Sequence, residues 1–263
     1  METEKIKFDW RMWGVTFLAR DVPAAYLGGP SHKAGAPLFH SSLTRTASND
    51  LIGFIRPRPA ALAIHIAIES SSKAVSLRNT LSLQPTVTPY GAGKQVVLEN
   101  HPHLYNYFEY CMITVAFSAQ SLDTFCNEII ENYLTGTIPV IMNGKAKFLN
   151  KIQLQESHIS TKMKLGIILP KILKIDSPES QNSKVWTDYL ILERVRNSTF
   201  HLKASDENSG VNIDKESLFF EFFRVDATDY PKYAINLLTY FQPKIHNIEW
   251  ITEAQRSLSK FIE

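Results

Sequence analysis

The chain has 263 residues, of which 44% are hydrophobic and 21% charged, and its formal net charge at pH 7 is +2. This composition excludes a disordered chain and is ample for a buried core in one large domain or two modest ones. The small net charge excludes binding of a polyanion by the whole surface, so a nucleic acid would have to meet a local basic patch. The first ten residues contain acids but no apolar run, and no stretch approaches the length of a membrane span, so we expect a cytoplasmic protein without a membrane partner.

The first part of the chain, residues 1–100, is predicted to be a mixed, partly irregular N-terminal region of uncertain fold, with a regulatory or substrate-selecting role. Prolines and glycines interrupt it up to about residue 37. Residues 39–55 keep a helical period that ends before Pro57. Residues 61–68 alternate as a strand would, but their alanines favour a helix that continues to about Ala74. Residues 81–100, rich in proline and glycine, predict a hairpin or a domain junction.

The clearest element is a long core helix over residues 103–134, where apolar side chains keep one broad stripe. Both cysteines of the chain, Cys111 and Cys126, fall on it. At 1.5 Å per residue they lie about 22 Å apart, which is too far for a disulfide. We therefore expect two buried free thiols.

Shorter amphipathic segments follow the long helix. They predict helices over about 144–155, 161–175 with a break at Pro170, 185–203, 214–225, 229–241 and 250–262. Short connections between amphipathic helices are typical of an antiparallel bundle. The fold class predicted for the whole chain is mostly α, with residues 101–263 forming the helical bundle.

The helix predicted over 185–203 carries an unusual set of polar residues at its end. Ser183 is a plausible cap, and apolar side chains at three- and four-residue spacing turn toward the core. Asn197 and His201 lie four apart and so share a face, with Arg196 about a third of a turn away. A permanently charged guanidinium beside an imidazole that titrates near neutral pH suits chemistry on a phosphate.

The run from Arg196 to His201, Arg-Asn-Ser-Thr-Phe-His, resembles the R-x4-H motif of the HEPN superfamily in its common form with Asn after the Arg. The residues from Phe117 to Ile130 are similar to the long early helix of HEPN domains, and the segment before the motif is similar too. The resemblance covers about residues 104–241. It implies a helical bundle. Many HEPN proteins are metal-independent endoribonucleases of toxin–antitoxin, abortive-infection or antiviral defence systems, so the resemblance implies such an activity for this chain.

The resemblance also implies roles for the motif residues. His201 would be general base, or general acid toward the leaving oxygen, in an attack of the ribose 2′-hydroxyl on the phosphate. Arg196 would hold the scissile phosphate and offset its growing charge, and Asn197 would orient the phosphate or the imidazole. No metal and no cofactor would be needed. Because one motif supplies one His, the resemblance implies a homodimer in which two motif helices face each other.

A purely structural interpretation of the motif stays open. In it, Arg196 pairs with a carboxylate such as Glu193, and His201 only ends the helix, where an imidazolium favours the carbonyl dipole. The matching alternative function is a non-catalytic HEPN-type module for dimerisation or RNA binding. A further hypothesis is a toxin silenced by an antitoxin or regulatory protein that modifies a tyrosine near the motif, such as Tyr189.

Lysines outside the motif predict an RNA-binding surface. Between residues 145 and 174 there are seven lysines and a single acid, Glu156. We expect Lys162, Lys164 and Lys171 of this segment, together with Lys203 beside the motif, to contact the backbone of an RNA such as tRNA or mRNA. The alternative is a solvated basic face. On the long helix, Asp123, Asn127 and Glu128 are candidates to place a polar group against the motif, and the sequence leaves the choice among them open.

Overall fold

The computed structural model describes residues 9–12, 16–23, 31–34, 36–38, 41–142, 144–156, 159–201, 217–246 and 249–261. It is mostly helical, as the sequence predicts. The helices are α1 (Pro59–Asn79), α2 (His101–Tyr133), α3 (Lys151–Glu156), α4 (Thr161–Met163), α5 (Leu169–Leu173), α6 (Lys184–Phe200), α7 (Leu218–Arg224), α8 (Asp229–Phe241) and α9 (Glu249–Ser259). The strands are β1 (Thr16–Phe17), β2 (Pro37–Leu38), β3 (Ser41–Arg45), β4 (Leu51–Ile55), β5 (Leu83–Thr88), β6 (Gly91–Val96), β7 (Ile138–Met142) and β8 (Lys145–Leu149). They pair in order as four antiparallel two-stranded sheets.

Helix α1 packs along α2 and also contacts α8 and α9, so the first hundred residues contribute to the same core as the second half. Its buried positions include 60, 64, 67, 71 and 74, a spacing of three and four residues. Leu62 and Ile66, two of the residues that alternate in the sequence, are only partly buried. The prediction of a helix is confirmed here, because alanines allow close packing between helices and favour the helical backbone.

Helix α2 is the axis of the bundle, with 33 residues and a length of roughly 50 Å. It contacts α1, α6 and α8. Cys111 and Cys126 are both buried and free, as predicted. Burial raises the pKa of Cys111 to about 12 and also raises that of Cys126, so neither thiol is activated as a nucleophile.

Of two hairpins in the first hundred residues, one is predicted by the sequence and the other is not. The hairpin β5–β6 confirms the one expected between 81 and 100. The helix expected over 39–55 is wrong, because residues 41–55 form the hairpin β3–β4. At its turn Asn49 has a left-handed φ of 68°, and the Thr46 amide donates to the Asp50 carbonyl at 2.9 Å. This turn chemistry interrupts a pattern whose apolar residues alone favour a helix.

The prediction of a helix over residues 144–155 is also wrong for the first half of that range. Strand β8 occupies residues 145–149 after a turn in which Gly144 has a φ of 74°, and it pairs with β7. Helix α3 begins only at Lys151. Its start is a reciprocal cap, since the Asn150 amide donates to the Gln153 side chain and the Gln153 amide to the Asn150 side chain, both at 3.0 Å.

The remaining helices close the bundle around α2. Helices α4 and α5 are joined through a π-helical turn, Lys164–Ile168, and together they form the predicted segment with Pro170 inside it. Helix α8 contacts α2, α6 and α9. Among the helices of the described residues, none combines the length and apolar character that crossing a bilayer requires.

Candidate functional site

Helix α6 presents its apolar side to the bundle and its polar end to solvent. Ser183 caps it, with the side-chain oxygen accepting from the Trp186 amide at 3.3 Å. The buried side chains recur every three or four residues: Trp186, Tyr189, Leu192, Val195 and Thr199. This spacing leaves residues 196, 197, 200 and 201 exposed at the end of the helix.

The motif residues lie together at the C-terminal end of α6. The Arg196 Nη1 donates to the Asn197 side-chain oxygen at 3.1 Å, and its guanidinium lies over the Phe200 ring, 4.9 Å from the centroid. His201 leaves the helical conformation with φ −131° and ψ 65°, while its amide still donates to the Asn197 carbonyl at 3.0 Å. The helix therefore ends between the arginine and the histidine.

Two neighbouring arginines of α6 differ in their contacts. Arg194 pairs with Glu221 of α7 at 2.8 Å and so ties two helices together. Arg196 forms no ion pair with Glu193, or with any other carboxylate of the described residues. The ion pair with Glu193 that a purely structural interpretation expects of Arg196 is thus not formed in the described part of the chain.

A cavity of about 390 Å³, the motif cavity, lies between α2, the start of α4 and α6. Its charged lining consists of Arg196, Glu193 and Asp123. The other lining residues are Ala116, Ala119, Gln120, Ile159, Ser160, Thr161, Tyr189, Leu192, Asn197 and Phe200. In this cavity Arg196 and Asn197 can bind a phosphate, while Lys164 offsets the charge of Asp123 at 3.1 Å and Glu193 can move a proton.

A second cavity of about 420 Å³, the end groove, lies on the other side of the same helix end. It is lined by Leu190, Glu193, Arg194, Asn197, Ser198 and His201. Glu193 and Asn197 line both cavities and form the ridge between them. Within one chain, Arg196 therefore opens onto the motif cavity and His201 onto the end groove.

Burial changes the acidity of two groups in the motif cavity. It raises the pKa of Glu193, an effect that the nearby positive charges of Lys162 and Arg196 oppose. It also raises the pKa of Tyr189, whose side chain is buried. A carboxyl with a raised pKa beside an arginine is the combination often found where proton transfer occurs. The burial of Tyr189 makes this tyrosine a poor target for a modifying enzyme.

Among the candidate polar residues of α2, Asp123 and Asn127 share the Lys164 ammonium, and Glu128 has a different partner. Asp123 lines the motif cavity and accepts from the Thr161 hydroxyl at 3.0 Å. Asn127 accepts from the Lys164 ammonium at 2.8 Å. Glu128 pairs with Arg58 at 3.3 Å, next to the Trp250 ring. Of the three candidates in the sequence, Asp123 is the one placed beside the motif.

The basic residues predicted to contact RNA are dispersed. The prediction that Lys164 lies on an exposed RNA-binding face is wrong. Lys164 is 3% exposed, and its ammonium donates to Asp123 at 3.1 Å and to Asn127 at 2.8 Å. Lys162 is partly buried near Glu193. Lys171 is exposed and donates to the Pro139 carbonyl at 3.2 Å. Lys203 lies outside the described residues.

Sequence reasoning missed Glu193 as a member of the site. The signal was present, because Glu193 precedes Arg196 by three residues and Asn197 by four, which places all three on one side of a helix. The contribution of Thr161 has no such signal, because it comes from contacts between segments 38 residues apart. Among the described residues, no group of three His, Cys, Asp or Glu side chains lies close enough to hold a metal ion.

Comparison of this chain with models of known protein families, with curated proteins and with solved structures finds no match.

Proposed function

We propose that this chain is a metal-independent endoribonuclease of the HEPN type, acting as a toxin or antiviral defence effector. The observation that carries the proposal is that Arg196, Asn197 and His201 all lie at the solvent-exposed end of α6, where Arg196 and Asn197 line a cavity of about 390 Å³ and Asn197 and His201 line the groove beside it. An arginine that forms no ion pair with a carboxylate of the described residues is suited to receive a phosphate. The defence role rests on the resemblance of the motif alone.

The proposed reaction breaks an RNA strand without water as nucleophile. The ribose 2′-oxygen forms a bond to the adjacent phosphorus as its proton passes to a base, and the bond to the 5′-oxygen breaks as that oxygen takes up a proton. The products are a 2′,3′-cyclic phosphate and a 5′-hydroxyl. His201 would transfer one of these protons, while Arg196 would offset the charge that builds on the phosphate oxygens.

The second proton transfer needs a second acid–base group, and two side chains are candidates for it. In a homodimer formed through α6, His201 of a second copy would face the motif cavity, as the family resemblance implies. Within one chain, Glu193 lines both cavities, and burial raises its pKa. The exposed Phe200, whose ring lies under the Arg196 guanidinium, would be part of such a contact at this end of the helix.

One observation favours a second candidate function. Within one chain Arg196 and His201 open onto different cavities, on either side of the ridge made by Glu193 and Asn197. A single chain would then bind RNA without completing the catalytic pair. The second candidate is therefore a non-catalytic module for dimerisation or RNA binding.

The test is cleavage of total RNA and of tRNA with a chelator present. The proteins compared are the wild type, Arg196→Ala and His201→Ala, with exposed Arg256→Ala and His103→Ala as matched controls. All must show the wild-type circular dichroism spectrum. The proposal expects cyclic phosphate ends from the wild type and both controls, and a loss of about 10²-fold or more for the two motif variants. If all five proteins behave alike, the motif is structural and the binding module replaces the enzyme.

A further inference from the structure

The motif cavity holds polar groups that the proposed reaction does not use. Asp123, Gln120 and Tyr189 line it together with Arg196 and Asn197. Its volume of about 390 Å³ lies at the lower end of the range of about 300–1,000 Å³ that is typical of pockets for small ligands. The five side chains therefore surround one space that has room for a small molecule or for a single unit of a polymer.

Asp123 offers this space a hydrogen-bond acceptor. The Thr161 hydroxyl and the Lys164 ammonium both donate to its Oδ1, at 3.0 Å and 3.1 Å. Its Oδ2 accepts no hydrogen bond from the residues that the structure describes. Because the buried Lys164 offsets the charge of Asp123, the carboxylate can lie in one cavity with a phosphate while repelling it less. Oδ2 is thus an oriented acceptor that a ligand can use.

Tyr189 offers a donor in the same cavity. The residue is 3% exposed, and its hydroxyl forms no hydrogen bond within the described part of the chain. Burial raises the pKa of this hydroxyl, and the negative charges of Glu193 and Asp123 add to the effect. The hydroxyl therefore keeps its proton and can donate it to a ligand atom. Gln120, three residues before Asp123 on the same face of α2, adds an exposed side-chain amide.

The remaining walls of the cavity favour a flat, apolar body for the ligand. They are formed by Ala116, Ala119, Ile159 and Leu192. A small anion would use Arg196 but leave Asp123 and Tyr189 without partners, and an apolar ligand would leave all three unpaired. A nucleotide matches the whole set, because it joins a phosphate to a flat ring with donors and acceptors along its edge.

We propose that the motif cavity encloses one nucleotide of the RNA, the one on the 5′ side of the cleaved bond, and that Asp123 determines which bases are accepted there. The proposal rests on the proposed function and adds the substrate preference of the same site. The 2′-hydroxyl attacks the 3′-phosphate of its own nucleotide. When Arg196 holds that phosphate, the base of the same nucleotide is therefore the one within reach of Asp123 and Tyr189.

The acceptor on Asp123 discriminates against uracil. Adenine, cytosine and guanine each carry an exocyclic amino group that can donate to Oδ2 while a ring or carbonyl acceptor takes the Tyr189 hydroxyl. Uracil has no amino group. The only donor on its pairing edge lies between two carbonyl oxygens, which a carboxylate repels. We therefore expect cleavage after adenosine, cytidine or guanosine and poor cleavage after uridine.

The first test uses DNA oligonucleotides with a single ribonucleotide, either cytidine or uridine, so that a 2′-hydroxyl is present at one position only. With chelator present, kcat/KM of the wild type should be about 10-fold or more higher for cytidine. Asp123→Asn should bring this ratio below about 2, because an amide can also donate to a uracil carbonyl. The exposed Asp50→Asn is the matched control and should keep the wild-type ratio. Both substrates meet the same preparation, so any loss of folded protein cancels from the ratio.

The second test measures binding of cytidine 3′-phosphate and uridine 3′-phosphate by equilibrium dialysis. Neither compound can be cleaved, because its phosphate carries no leaving nucleoside. The wild type should bind the cytidine compound about 10-fold more tightly, and Asp123→Asn should lose that preference. Tyr189→Phe, which removes only the hydroxyl, should weaken binding of the cytidine compound by about 2- to 10-fold. The exposed Tyr105→Phe should leave it unchanged.

The outcomes separate this inference from the proposed function. If the wild type cuts no RNA but prefers cytidine 3′-phosphate, and Asp123→Asn loses the preference, the nucleotide site stands with a free nucleotide as its ligand and the nuclease fails. If the wild type cuts RNA but cuts after uridine as fast as after cytidine, or if Asp123→Asn keeps the wild-type ratio, the role of Asp123 is overturned alone. If the wild type neither cuts RNA nor binds either 3′-phosphate, both are overturned.

Discussion

Replacing Lys164 by Met should destabilise the protein by about 2 kcal/mol. The side chain of Lys164 is 4% exposed, and its ammonium is shared by Asp123 and Asn127. Removing one partner of a buried pair costs about 3–5 kcal/mol, because the other charge stays buried. Asp123 is 35% exposed and keeps its bond to Thr161, so its charge is only partly buried and the cost falls to about 2 kcal/mol, below that range. Met keeps most of the apolar volume of the lysine stem.

The assay is urea unfolding followed by circular dichroism and extrapolated to water. Lys260→Met, at an exposed lysine, is the control and should stay within about 0.5 kcal/mol of the wild type. Asp123→Asn and the double variant complete a cycle. We expect the double variant to lose less than the sum of the single losses, by about 1–2 kcal/mol. A loss below about 1 kcal/mol for Lys164→Met, or strict additivity, would refute the reasoning.

Three further predictions concern the site and its helix. Burial raises the pKa of Glu193, so the folded state favours the protonated carboxyl more than the unfolded state does. As pH rises above about 4.3, the free energy of unfolding of the wild type should therefore fall relative to that of Glu193→Gln. Equal pH profiles of the two proteins in urea unfolding would contradict this. Gly166→Ala should cost about 1 kcal/mol in urea unfolding, because a Cβ would lie 3.1 Å from the buried Trp186 ring, whereas the exposed Glu179 carboxylate can turn aside; an unchanged midpoint would show that the ring yields as well. Ser183→Ala should cost about 1 kcal/mol in the same assay, while Ser183→Thr, which keeps a hydroxyl to accept from Trp186 and donate to the Pro178 carbonyl, should preserve stability.

The elements that the sequence predicts well are those with a long, regular apolar period. Helices α2 and α6 show three- and four-residue spacing over many turns, and no short-range signal competes with it. The hairpins β3–β4 and β7–β8 are shorter than the window in which a helical and a strand period can be told apart. Their turns depend on left-handed backbone at Asn49 and Gly144.

The candidate site could be predicted in part. The grouping of Arg196, Asn197 and His201 follows from their spacing on one helix, and Glu193 follows by the same rule. The ion pair of Lys164 with Asp123 joins positions 41 residues apart, and the burial of Lys164 depends on how the π-helical turn packs against α2. Local sequence therefore favours an exposed lysine where the packed structure has a buried one.

The proposed 2′-hydroxyl attack at the end of α6 is tested most directly by comparing an oligoribonucleotide with the oligodeoxyribonucleotide of the same sequence as substrates, with chelator present. If the 2′-hydroxyl is the nucleophile, the wild type cuts only the RNA and leaves a 2′,3′-cyclic phosphate, and His201→Ala slows that reaction by about 10²-fold or more. Equal cleavage of the two strands, or equal rates for the wild type and His201→Ala, would contradict the assignment of the end of α6 as the active site.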